Sequence, residues 1–145
     1  MYKIILPLVF VVIFSLREQA ELLWVNDPAN QRELMNKHAA LMNAAQWKAD
    51  YIAATGDFAH CTKNGECSNK TIKRFGCITG YDENKNFVES LVWGTNVPDI
   101  AYENLLMSSD HVQHLHATNE FFRSQTDYGV GHADLIFVFI SAKCE

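Results

Sequence analysis

The chain has 145 residues, 48% of them hydrophobic and 20% charged, which is a single-domain length with enough apolar mass for a core and argues against disorder. A formal charge of −5 with no basic run argues against a nucleic-acid binder that works by neutralising phosphates. No internal repeat or low-complexity tract is visible.

The N-terminus differs from the rest. Lys3 is followed by an uncharged apolar run from Ile4 to Leu16. As a helix this run reaches only about 20 Å, short of the ~30 Å bilayer core. It suits the apolar region of a secretory leader, with Ala20 as the last residue before the cut. Glu18 stands where a second small residue is wanted, so an uncleaved N-terminal anchor is the alternative. The expected division is residues 1–20 as signal peptide or anchor and 21–145 as the domain. Losing Lys3, Arg17 and Glu18 takes the charge from −5 to −6.

Asp27-Pro28 reads as a helix start. Leu34, His38, Leu41, Met42, Ala45, Ala49 and Ile52 follow at helical spacing, and Gly56 suits a left-handed cap. The spacing predicts one helix from about Pro28 to Thr55. A polar loop leads to a short helix, Thr71 to Phe75. Phe87 to Trp93 has strand composition and is apolar on both faces, so both faces are expected to be covered. Pro98 opens a helix to about Met107, with Ile100, Ala101, Leu105 and Leu106 inward. SSDHVQHL forms a second short helix capped by Ser108 or Ser109. DYGVGHADLIFVFIS reads as strand, turn and strand. The order predicts an α+β fold, a small sheet with helices packed on it or an α-β-α sandwich.

Four cysteines, Cys61, Cys67, Cys77 and Cys144, behind a leader read as two disulfides. Three pairings are open, and Cys61–Cys67 with Cys77–Cys144 is the preferred one. No Cys-x-x-Cys spacing supports a cysteine metal site. Asn69-Lys70-Thr71 is a glycosylation sequon that matters only in a eukaryotic source.

Glu89 alternates with Phe87, Leu91 and Trp93, so it shares a face with large apolar side chains. A carboxylate there either reaches water at the sheet margin or needs a cation, a histidine or backbone donors. His60 ends Phe58-Ala59-His60, where Phe58 is placed to anchor the loop. His111, His114 and His116 crowd one short segment. His111 and His114 share a helix face, whereas His116 lies roughly 140° from His111. A zinc pair on a helix prefers a spacing of four, so the triplet is a poor site by itself.

Taken in order, these segments resemble the CAP superfamily, the cysteine-rich secretory and pathogenesis-related domains, and most of all its short bacterial SCP-like branch. LMNKHAALMNAAQWKADYIAATGDFAH is similar to the family's first helix and Phe-Ser-His signature, with Ala59 in place of Ser. KRFGC looks like the Arg-x-x-x-Gly-Tyr helix. VESLVWG looks like the Glu-Asn-Ile-Ala strand, with Ser90 in place of Asn. SSDHVQHL looks like Ser-Pro-Gly-His-Arg-x-Asn-Ile/Leu, and YGVG like the closing Gly-Val-Gly strand. The resemblance covers nearly the whole domain. It implies a three-layer α-β-α sandwich of CAP type with a small, mainly antiparallel sheet.

It also implies a cavity lined by His60, Glu89 and His111, with Ser108 and His114 beside it. In some family members that cavity holds a divalent metal, and two imidazoles with one carboxylate would suit Zn2+. The chain departs from the pattern in several places. Ser108 and Ser109 lie near the place of a second cavity glutamate, and Glu103 is too far back to supply it. Val112 replaces an Arg, and His114 stands where Asn is usual. His116 is expected on the surface. The resemblance favours a secreted binding module for a lipid, glycan or protein partner, reaching a membrane only through an uncleaved N-terminus. The alternatives are a zinc-assisted hydrolase, with His60 and His111 as ligands and Glu89 positioning water, and a structural domain with a vestigial cavity. Ser90 or Ser109 as a triad nucleophile lacks a nucleophile motif.

Overall fold

The computed structural model describes residues 13–145. Most of the expected leader lies outside them. In chain order the elements are α1 (Leu16–Val25), β1 (Asn36–Lys37), α2 (Ala39–Thr55), α3 (Ser68–Arg74), β2 (Glu89–Trp93), α4 (Pro98–Leu105), α5 (Ser109–Leu115), α6 (Glu120–Arg123), β3 (Asp127–Ala133) and β4 (Ile136–Ala142). The sheet order is β1-β3-β4-β2, with β1 parallel to β3 and the other pairs antiparallel. The expected α+β architecture with a mainly antiparallel sheet is the one observed.

The central strand β4 explains the layering. Ile136, Val138 and Ile140 join α2 in one core, and Phe137 and Phe139 join α1 and α4 in the other. A strand buried on both faces must read as a continuous apolar run, and IFVFISA does. Its neighbour β3 turns Tyr128 and Val130 toward α1 and presents Gly129 and Gly131 to α2. A Cβ at Gly129 would overlap the Leu41 backbone carbonyl, and one at Gly131 would overlap that of Ala45. The helix backbone therefore lies directly on the strand, and the Ala44, Ala45 and Ala49 side chains fill the remaining space.

Helix α2 begins eleven residues later than the Asp27-Pro28 signal predicts. His38 is its N-cap, with Nδ1 accepting from the Ala40 amide, and Gly56 closes it in the left-handed conformation at φ 71°. Leu41, Met42, Ala45, Ala49 and Ile52 are buried as the stripe predicts, but Leu34 lies outside the helix and is exposed. Asp27 instead closes a turn by accepting from the Ala29 amide at 2.9 Å. Its other oxygen accepts from the Tyr102 hydroxyl at 2.6 Å and meets His116 Nε2 at 2.8 Å. His116 is thus half-buried in a polar cluster rather than free on the surface.

In α4, Tyr102 turns inward and Ile100 outward, reversing the expectation for Ile100. The helix α1 has no counterpart in the sequence reading. Ser15 and Glu18 form a reciprocal capping box at its start, and Ala20 and Trp24 are buried on its inner face. The position after Ala20 thus falls inside α1. Both preferred disulfides are present, Cys61–Cys67 and Cys77–Cys144. The second ties the segment after α3 to the chain end across 67 residues.

Burial raises the Asp27 carboxyl, but hydrogen bonds from Tyr102, Ala29 and His116 outweigh it and hold the group below its ordinary value. A depressed carboxylate stabilises the fold above its unfolded value of 3.8 and loses that contribution as pH falls through the folded value. Urea unfolding of wild type and Asp27→Asn between pH 5 and pH 2 will therefore show a wild-type advantage at pH 5 that shrinks below pH 4. A difference independent of pH would refute the assignment.

Candidate functional site

The site is built where β2 begins. The side chain of Asn86 clamps the strand start, accepting from the Glu89 amide at 2.9 Å and donating to the Glu89 carbonyl at 3.0 Å. Glu89 pairs with Ile140 and so faces α2, while Ser90 pairs with Phe139 and faces the opposite layer. The Glu89 side chain is 1% exposed. Two groups meet at it, His60 Nδ1 at 3.0 Å from Oε1 and Lys48 Nζ at 3.9 Å from the same oxygen, while Oε2 is buried with no hydrogen-bond partner among the described residues.

Lys48 is the residue the sequence reading missed. Its side chain is 1% exposed. It sits at the inward position of α2 between Ala45 and Ile52, and this helical register was the signal that could have found it. Its ammonium donates to the Ala59 carbonyl at 2.6 Å, which fixes the residue before His60. The Cys61–Cys67 bridge fixes the residue after it. Asp57 steadies the same loop, accepting from the Tyr51 hydroxyl and the Lys63 amide. Phe58, expected to enter the core, instead meets the exposed Trp93 ring at 5.7 Å. The loop is therefore held by a buried cation and a disulfide, not by an aromatic anchor.

His60, Glu89, Ser108, His111 and His114 all line one cavity of ≈ 520 Å³. This brings together every residue expected at the site. Ser108 is the N-cap of α5, but its side chain makes no capping bond. Burial, with the neighbouring His60 charge, pulls the His111 imidazole below its ordinary value, partly opposed by Asp110.

His114 is fully buried and belongs to a second network. Nδ1 lies 2.7 Å from Ser90 Oγ and Nε2 lies 2.8 Å from Ser141 Oγ. Ser141 donates to Gln125 Oε1, so its hydroxyl can only accept from His114 Nε2. That leaves Nδ1 to accept from Ser90. Arg32 completes the network through Ser141 Oγ and the His114, Leu115 and Gln125 carbonyls. Burial pulls Arg32 down to about 10, so it stays cationic at neutral pH. Burial first, and then Arg32, hold His114 well below the usual imidazole range. The Ser90–His114 contact has the spacing of a nucleophile and its base, but the imidazole cannot readily take the proton. It is a polar bolt joining α5 to β2 and β4.

The expected metal set does not assemble. Among the described residues no group of three or more His, Cys, Asp or Glu side chains is placed to hold an ion. The reason is local. Glu89 Oε1 already meets His60 Nδ1, and a buried ammonium lies beside the same oxygen, where a divalent cation would be repelled. The residues do not fit Zn2+. Glycosylation at Asn69 fits no better. That residue is 2% exposed, with its amide donating to the Asp82 carbonyl and accepting from the Phe87 amide.

No protein-family model matches the chain, and no curated protein does. Among solved structures the chain is similar to an extracellular protein of Bacillus anthracis that contains an SCP domain. The TM-score is 0.71 at 14% identity over 88% of this chain, which spans 40% of that one. It is also similar to an outer surface protein of Borrelia burgdorferi, at TM-score 0.65 and 17% identity over 91% of this chain and 97% of the other. The chain thus has an SCP-like fold, the fold implied by its ordered motifs.

A buried carboxylate stripped of its cation costs about 3–5 kcal/mol. Lys48→Met will show that cost in urea unfolding, and adding Glu89→Gln will recover about 2 kcal/mol of it. Strictly additive costs across the four proteins would mean that the two groups are not coupled.

Proposed function

We propose that this chain is a secreted or surface-exposed SCP-like domain that acts as a binding module, with the ligand entering the cavity walled by His60, Glu89, Ser108 and His111. The observation that carries this reading is the Glu89 carboxylate, which is buried at the cavity with one oxygen lacking any partner among the described residues. An unsatisfied buried acceptor costs about 1–3 kcal/mol, more when charged, and a ligand donor would remove that cost.

Placement outside the cytoplasm is supported by two disulfides and by the extracellular and outer-surface descriptions of the similar structures. Among the described residues no helix is long and apolar enough to cross a membrane. Binding is favoured over serine hydrolysis because burial and Arg32 weaken the basicity of His114, the imidazole beside Ser90 at the cavity. The partner classes are a lipid, a glycan or a protein.

The test is retention of the purified protein by three supports in parallel: phospholipid vesicles, insoluble polysaccharide and immobilised envelope protein. Wild type will be retained by one of them, and Glu89→Gln and Ser108→Ala will lower that retention about tenfold. Equal retention of all three proteins, or release of a hydrolysis product by wild type, would overturn the proposal.

A further inference from the structure

We infer that the cavity and the aromatic shelf at its mouth bind a neutral carbohydrate, one sugar ring lying against the shelf with its hydroxyls directed to Glu89 and Ser108. This rests on the binding reading above and names the ligand class.

The shelf is the first observation. Phe87 and Phe122 line the cavity, and Phe121 and the partly buried Tyr81 pack against them. The rings form one continuous cluster, edge-on for Phe87–Phe121 at 5.9 Å between centroids and Phe121–Phe122 at 5.2 Å, and tilted for Tyr81–Phe121 at 5.6 Å. Phe87 and Phe121 remain 36% and 42% exposed. Contiguous exposed aromatic surface beside a concave polar site marks a place where a ligand's apolar face is covered.

The second observation is the polarity behind the shelf. Nine of the twelve lining residues are polar or ionisable, and the three apolar ones are Phe87, Val88 and Phe122. An acyl chain or sterol has no donors for the polar groups of this lining and would leave the buried Glu89 oxygen unpaired, so the site disfavours it. Glu89 and Asp110 disfavour an anionic ligand. A cationic ligand would repeat a charge already in place, since the Lys48 ammonium lies beside Glu89 Oε1. What the site lacks is a neutral donor for Oε2, and the Ser108 hydroxyl is free of any capping bond. Hydroxyl groups on a ring with apolar faces meet both requirements. The volume, ≈ 520 Å³, lies within the usual range for small-molecule sites.

The experiment is calorimetric titration of the whole protein with cellotetraose, chitotetraose and mannotetraose, with a sulfated tetrasaccharide, palmitate and choline as controls. At least one neutral tetrasaccharide will bind and the three controls will not. Phe121→Ala, an exposed position whose loss leaves the core intact, and Ser108→Ala will each weaken binding about tenfold. Unchanged affinity in both variants would overturn the inference. So would silence of all three neutral sugars up to about 10 mM, a Kd range already very weak. If vesicles or a protein then retain the chain in a Glu89-dependent way, the carbohydrate assignment falls and the binding reading stands. If nothing retains it, both fall.

Discussion

The rest of the structure depends on one close approach. Helix α2 rests its backbone on β3 because Gly129 and Gly131 offer no side chain where Leu41 and Ala45 come down. No other residue leaves that space free, and the alanines of α2 let the contact continue along the helix. Core packing is dense enough that a one-methyl intrusion is felt. The helix therefore cannot settle at an ordinary distance without moving everything attached to it.

What is attached to it is the site. Lys48 lies on the turn after Ala45, on the face that meets the sheet, and its ammonium reaches both the Glu89 carboxylate and the Ala59 carbonyl. The first contact compensates a buried charge, and the second sets the loop that carries His60. One seated helix thus fixes a cation, a histidine and the carboxylate between them. The opposite layer is fixed separately. Arg32, Gln125, Ser141 and His114 form a buried network in which the donors and acceptors named above are matched, and it holds α5 against β2. Ser108 and His111, on that same helix or its cap, arrive at the cavity by this second route. Buried polar networks of this kind give a fold one arrangement when they are fully satisfied.

Much of this was legible in the sequence. The strand pair at the C-terminus and the stripe of α2 follow from periodicity and the presence of two disulfides from cysteine parity, whereas the gathering of His60, Glu89 and His111 at one cavity was implied only by the family resemblance. What failed did so for local reasons. Asp27-Pro28 has the form of a helix start, yet Asp27 is taken by a turn and by Tyr102 and His116, which lie 75 and 89 residues away. Local propensity could not foresee those partners. Lys48 drew no notice in the sequence because its carboxylate partner is also remote. The metal expectation failed with it, since a resident ammonium changes what the same histidine and carboxylate can hold. The helix α1 was hidden because its first half, Leu16 to Ala20, fell in the expected leader.

The most direct measurement is the urea unfolding free energy of Gly131→Ala. If α2 is seated on the glycine backbone, the added methyl will cost about 3 kcal/mol, the upper end for an overpacked core. A variant within about 0.5 kcal/mol of wild type, the scatter of an ordinary surface substitution, would contradict it. The placement of Lys48 and His60 on Glu89 would then need another cause.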